Sequence, residues 1–191
     1  AARIVRVPLW NDRHHETGPF DFIGDVHGCL PELRDLLARL GYGLDEATPG
    51  PVGPRLIPPP GRKLVFVGDL VDRGPDTPGV LRLVMQAMAD GHALCVAGNH
   101  DVKLARKLRG RDVQLTHGLA ESVAQLATQP AAFSTQVADF LEGLIAHYVL
   151  DGGRVVVAHA GLKEEMHGRA SGAVREFALY GDVTGEQDEL G

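Results

Sequence analysis

Apolar and polar positions fall in blocks along this chain. Four short apolar runs have the length of strands and end in glycine or polar residues: "FDFI" from Phe20, "KLVFV" from Lys63, "ALCVA" from Ala93 and "RVVVA" from Arg154. Between them the spacing changes. Leu33, Leu36, Leu37 and Leu40 follow i, i+3, i+4, i+7, and Gly41 stands where such a helix can close. Val80, Leu81, Val84, Met85 and Met88 predict a second helix ending before Gly91. A region rich in Ala, Leu and Val, from about Val102 to His147, predicts further helix with a break near Pro130. "YVLD", Gly152, Gly153 and "RVVVA" predict a hairpin. "ATPGPVGPRLIPPPG", with six prolines, predicts a loop. Residues 1–19 read as a polar linker or arm in which only "RIVRV" has strand character, and residues 20–191 as one domain. Strands that alternate with helices and finish in a hairpin point to a layered α/β domain.

Composition narrows the function classes. A chain of 191 residues holds one domain with a sizeable core, and 44% hydrophobic with 23% charged residues is globular rather than disordered material. A net charge of -6 argues against a broad basic surface that wraps a duplex, and leaves room for a local positive site such as bound metal. Cys29 and Cys95 form no CxxC pair, so reduced thiols and a cytoplasmic location are expected. No apolar run approaches the roughly 20 residues of a membrane span. The start at Ala1 and the polar end "GEQDELG" suggest a segment of a longer polypeptide.

The chemistry sits where the apolar runs stop. "FDFI" leads into Gly24, Asp25, Val26 and His27; "KLVFV" into Gly68 and Asp69; "ALCVA" into Gly98, Asn99, His100 and Asp101; "RVVVA" into His159. Ligands of layered α/β folds bind beyond the carboxyl ends of the strands. Asp25, His27, Asp69, Asn99 and His159 therefore form a candidate metal-ligand set. Carboxylate, amide and imidazole donors together suit Mn²⁺, Fe²⁺, Zn²⁺ or Ni²⁺ better than Ca²⁺. Two such ions sharing Asp69 could clamp the oxygens of an in-line displacement at phosphorus, which points to phosphoester hydrolysis. In "GDLVDRGP", Arg73 offers a planar fork matched to phosphate. His100, beside Asn99, is placed to protonate the leaving oxygen, with Asp72 holding it as imidazolium. Arg73, Asn99 and His100 are thus the expected phosphate contacts. His14, His15, His92, His117 and His147, with Arg169 and Arg175, read as structural or solvated.

"GDVHG", "GDLVDRGP", "GNHD" and "HAG", in that order, resemble the calcineurin-like metallophosphoesterase superfamily in its phosphoprotein-phosphatase branch. More narrowly, "GPFDFIGDVHGCLPEL", "THGLAES", "HYVLDGGRVVVAHAGLKE" and "GRASGAVREFALYGDVTGE" resemble the central phosphatase module of bacterial polynucleotide kinase-phosphatase. That resemblance implies mixed β-sheets flanked by helices, two divalent ions with Mn²⁺ first among them, and removal of 2′, 3′ or 2′,3′-cyclic phosphates from RNA 3′ ends in repair. It also implies a kinase and a ligase-like domain as neighbours in the parent polypeptide; this chain has no GxxxxGK[ST] of its own. Family members carry a further metal-binding His in a "GHTP" motif that this sequence lacks. The fold is therefore expected to be C-terminally incomplete and at least one metal weakly held.

Other functions stay open on the same residues. A diadenosine tetraphosphatase or a protein Ser/Thr phosphatase would share the motifs, since the metal site does not fix the substrate. A truncated, non-catalytic module that binds RNA ends or docks neighbouring domains is the reading outside enzymes.

Overall fold

The computed structural model describes residues 9–182, so "RIVRV" lies outside the described residues. In chain order the elements are β1 (Asp12–Arg13), β2 (Phe20–Ile23), α1 (Leu30–Arg39), β3 (Gly43–Asp45), β4 (Arg55–Ile57), β5 (Lys63–Phe66), α2 (Thr77–Ala89), β6 (Ala93–Cys95), α3 (Asn99–Leu108), α4 (Leu119–Ala127), α5 (Ala131–Gly143), β7 (His147–Leu150), β8 (Val155–Ala158) and α6 (Gly172–Tyr180).

Three of the four apolar runs make one parallel sheet in the order β2-β5-β6, with Phe22 opposite Val65 and Phe66 opposite Cys95. Leu64, Val65 and Phe66 are fully buried, as expected of a central strand covered on both faces. The fourth run is in a second sheet, β1-β7-β8, where β7 and β8 form the expected antiparallel hairpin. Val65, Leu94, Val96, Tyr148, Leu150 and Val157 pack together as one apolar cluster that joins the two sheets. Just past β6, Ala97 donates its N–H to the Ile145 carbonyl at 2.9 Å, which fixes the sheets' relative position beside the loop that carries Asn99.

The helices follow their sequence signals. In α1, Leu33 and Leu37 are buried and Leu36 faces solvent, and Gly41, at φ +87°, closes the turn in a region that favours glycine. The Asp76 side chain caps α2 by accepting the Gly79 N–H at 2.8 Å. Leu81, Val84, Leu104, Leu119 and Leu141 of four helices then share the main core with Leu64 and Phe66.

Three stretches differ from the sequence expectation. Residues 9–19, expected as an arm, pack on the sheets: β1 pairs with β7, Asn11 is buried, and Lys63 pairs with Glu16 at 2.6 Å. A two-residue strand is too short to show periodicity, and its partner lies far away in the chain. The proline-rich loop contains β4, which pairs antiparallel with β3; its prolines flank Arg55, Leu56 and Ile57 and remove no ladder donor. Helix α6 was not expected, although Ser171 caps it by accepting the Val174 N–H.

The buried His147 gives a stability prediction. Its Nε2 accepts from Asn11 Nδ2 and from the Gly168 N–H, each at 3.0 Å. Burial holds its pKa below the ordinary 6.5. A depressed folded-state pKa means the neutral ring stabilises the fold above the unfolded value, and that contribution is lost as pH falls through the folded one. The Tm of the wild-type chain is therefore expected to fall between about pH 7 and 5 more steeply than that of His147→Gln, which keeps an acceptor but does not titrate there. Scanning calorimetry of both at each pH checks it.

Candidate metal centre

Loops following β2, β5, β6 and β8 meet at one edge. Val26 and His27 donate their N–H groups to the Asp69 carbonyl at 3.1 and 2.9 Å, which interlocks the first two loops. The third is locked by Asp101, whose fully buried carboxylate accepts the Leu70 N–H at 3.0 Å and the Gly98 N–H at 2.9 Å. His27, Asp69, Asp72 and Arg73 all have positive φ, at 46°, 50°, 73° and 64°. Such backbone costs of order 1–3 kcal/mol per residue and persists where surrounding contacts over-determine it. Here it falls on four candidate site residues of the first two loops.

Asp69 stands at the centre of three histidines. Its Oδ2 lies 3.5 Å from His159 Nε2, 3.7 Å from His27 Nε2 and 4.0 Å from His100 Nε2. Asp25 reaches the same space from a more exposed position, 3.9 Å from His27 Nε2 and 3.9 Å from His159 Nδ1. Asn99 Oδ1 lies 3.2 Å from His159 Nε2. Two groups able to hold a cation emerge among the described residues, one of His27, Asp69 and His100 and one of Asp25, Asp69 and His159. Asp69 is common to both.

The flanking residues form a second cluster. His100 Nδ1 donates to Asp72 Oδ2 at 2.7 Å, and Arg73 Nη2 approaches His100 Nε2 at 3.3 Å. Asp72 is completely buried with its Oδ1 unpartnered, while its N–H is held by Ser122 Oγ at 2.9 Å. The hydrogen bond that His100 donates to the Asp72 carboxylate raises the His100 pKa, and burial opposes it. Burial also pushes the Asp101 carboxyl up to about 7, against the backbone N–H groups it accepts.

Residues 18–184 match the family model described as calcineurin-like phosphoesterase. The chain belongs to the calcineurin-like phosphoesterase family. It is 40% identical to the bis(5′-nucleosyl)-tetraphosphatase PrpE [asymmetrical] of Anoxybacillus flavithermus over 88% of this chain and 67% of that protein. Identity to the protein of the same name from Geobacillus thermodenitrificans is 42%, over 90% of this chain and 69% of that one. A crystal structure presented as a diadenosine tetraphosphatase is 34% identical with a TM-score of 0.53, over 79% of this chain and 54% of that one. The chain thus spans about two thirds of the curated relatives and about half of the solved structure. These relatives overturn the narrower resemblance to polynucleotide kinase-phosphatase, and with it the expected RNA-end phosphatase; they carry the name of the alternative substrate class. The ground for expecting RNA 3′ ends, a kinase or a ligase-like domain as partners goes with it. The layered α/β metallophosphoesterase fold stands.

Calcineurin-like phosphoesterases use divalent metals, and the tautomers here fit one. His27 Nδ1 donates to the Val71 carbonyl at 2.8 Å, and His159 Nδ1 to the Val67 carbonyl at 2.8 Å. A carbonyl only accepts, so both rings carry their lone pair on Nε2, the atom that faces Asp69. Nε2 of His27 is buried without a partner. A buried lone pair beside two carboxylates is what a cation would satisfy.

The structure brings together Asp25, His27, Asp69, Asn99 and His159, with Asp72, Arg73 and His100 at their side. His167, the one histidine that follows His159 in the sequence, lines a separate cavity of 440 Å³ with Leu9, His14, Val149 and Gly153. Sequence reasoning missed the structural part of Asp101 and Ser122, which hold the loops that carry the candidate ligands. The "GNHD" motif contained Asp101; nothing local marked Ser122.

No helix among the described residues is long and apolar enough to cross a membrane.

Proposed function

We propose that this chain hydrolyses bis(5′-nucleosyl) tetraphosphates asymmetrically. The observation that carries this reading is the 40–42% identity to proteins of that name over about nine tenths of the chain. An asymmetric cut of four phosphates leaves a nucleoside triphosphate and a nucleoside monophosphate.

Asp25, His27, Asp69, Asn99 and His159 would together hold two divalent ions with Asp69 shared between them, and Mn²⁺ is the first choice for mixed oxygen and nitrogen donors. When bound, such a pair lowers the pKa of water and neutralises charge on the phosphoryl oxygens. Arg73 meets the phosphate with its planar fork, aided by Asn99 and His100. His100 has Nδ1 fixed by Asp72, so Nε2 is the atom that delivers a proton to the leaving oxygen.

The substrate class changes how much that proton matters. A departing ribose oxygen is a strong base and needs protonation; a departing phosphate oxygen is a far weaker base and needs less. His100→Ala is therefore expected to slow hydrolysis of an alkyl phosphate by about 10²-fold or more, and of a dinucleoside tetraphosphate by clearly less. Paired kcat measurements on the two substrates check this, and equal losses would remove His100 from the proton-donor role.

The functional test compares diadenosine tetraphosphate, a 3′-phosphorylated oligonucleotide and a phosphopeptide, each with Mn²⁺. The reading requires ATP and AMP in equal amounts from the first as the fastest reaction. Two ADP, or preference for either other substrate, would contradict it.

A further inference from the structure

Beside the centre a second concavity of about 510 Å³ opens, with Asn99 in its wall, so it adjoins the candidate metal ligands directly. Lys103, Arg106 and Arg111 line it, with Asp112 as the one acid and Tyr180 at the rim. Asn99, Lys103 and Arg106 stand at i, i+4 and i+7 of α3, hence on one face of that helix. At 1.5 Å per residue, Arg106 lies about 10 Å along the axis from Asn99. A row of donors thus leads away from the proposed point of cleavage.

The charges are poised for an anion. Among the described residues no carboxylate pairs with Arg106 or Arg111, whereas the neighbouring Arg109 turns away to pair with Asp139 and Glu142. Lys103 gives one donor to Thr116 Oγ1 at 2.8 Å, which positions its ammonium and leaves other donors free. Three cations against the single carboxylate of Asp112 leave this cleft with a positive excess in a chain of net charge -6. The volume is that of a small-molecule site. Tyr180, at the end of α6, is 49% exposed and offers an aromatic face, the group on which a nucleobase stacks.

We propose that this cleft holds the part of the substrate remote from the cut, with Lys103, Arg106 and Arg111 on its phosphates and Tyr180 against its base. Chain length of the nucleotide is then read on α3, away from the metals. The proposal rests on the nucleoside polyphosphate reading given above for the adjoining site.

Isothermal titration of the chain with ATP and with AMP, in the presence of a chelator, tests it without any turnover. The wild-type chain is expected to bind ATP about tenfold or more tightly than AMP, since each added phosphate gains charge-assisted hydrogen bonds. Arg106→Ala/Arg111→Ala should bring the two Kd values within about twofold of each other. Tyr180→Ala should weaken both nucleotides alike, and Tyr180→Phe should restore them. An undiminished ATP preference in the double variant, or equal affinities in the wild-type chain, overturns the cleft. If the cleft discriminates as expected and diadenosine tetraphosphate is nonetheless left uncut with Mn²⁺, the tetraphosphatase reading fails and the nucleotide cleft stands.

Discussion

Asp69→Asn is expected to lower the rate on diadenosine tetraphosphate by roughly 10³-fold or more while the fold survives. Asp69 Oδ2 lies within 4.0 Å of three imidazole nitrogens at once, those of His27, His100 and His159. Replacing one oxygen by an amide nitrogen removes the negative charge both candidate cation positions depend on. The structural bond is spared: His100 N–H donates to Asp69 Oδ1 at 3.0 Å, and an amide oxygen accepts as well. Tm should move little, because the buried charge that is lost was also a desolvation cost. Steady-state rates at saturating Mn²⁺ with a melting curve for each protein check both halves. A variant that keeps more than about a tenth of the activity would remove Asp69 from the centre.

Gly98→Ala is expected to be as damaging to turnover and, unlike the first, to stability. A Cβ at Gly98 would overlap Asp69 Oδ1 and the Asp69 backbone N, neither of which can retreat. Asp69 is held by its carbonyl to Val26 and His27, and Gly98 by its N–H to Asp101. Something in this lattice must break, and overpacking of this kind costs typically 1–3 kcal/mol. Gly143→Ala is the control: its added Cβ would meet nothing within 4 Å, on an exposed helical position. That variant should be neutral or gain about 0.4–1 kcal/mol by restricting the unfolded chain. Denaturant melts of the two variants separate the close approach at Gly98 from any general cost of replacing glycine.

The ligand edge could be read in the sequence because three apolar runs end in Gly and a donor residue and the fourth runs straight into His159. Asp25, Asp69, Asn99 and His159 follow those ends within a few residues. Long-range features were hidden. The two residues of β1 pair with β7, and Arg55, Leu56 and Ile57 form a strand between prolines, so neither leaves a periodic signal. Ser122 supports Asp72 from α4, across 50 positions of sequence. The substrate was misread for a different reason. Asp, His, Asn and Arg at these loops grip a phosphoryl group and its metals, and that task is the same for an RNA 3′ end and for a phosphoanhydride. Residues that would tell them apart, such as Lys103, Arg106 and Tyr180, carry no motif and become a group only when α3 and α6 are placed side by side.

The account stands on one shared carboxylate between two cations, and electron paramagnetic resonance of the chain loaded with Mn²⁺ tests that most directly. Two ions held on Asp69 are close enough to couple, so the spectrum should show an exchange-coupled pair that disappears in Asp69→Asn. A spectrum of isolated, uncoupled Mn²⁺ in the wild-type chain at saturating metal, unchanged by that substitution, would contradict it.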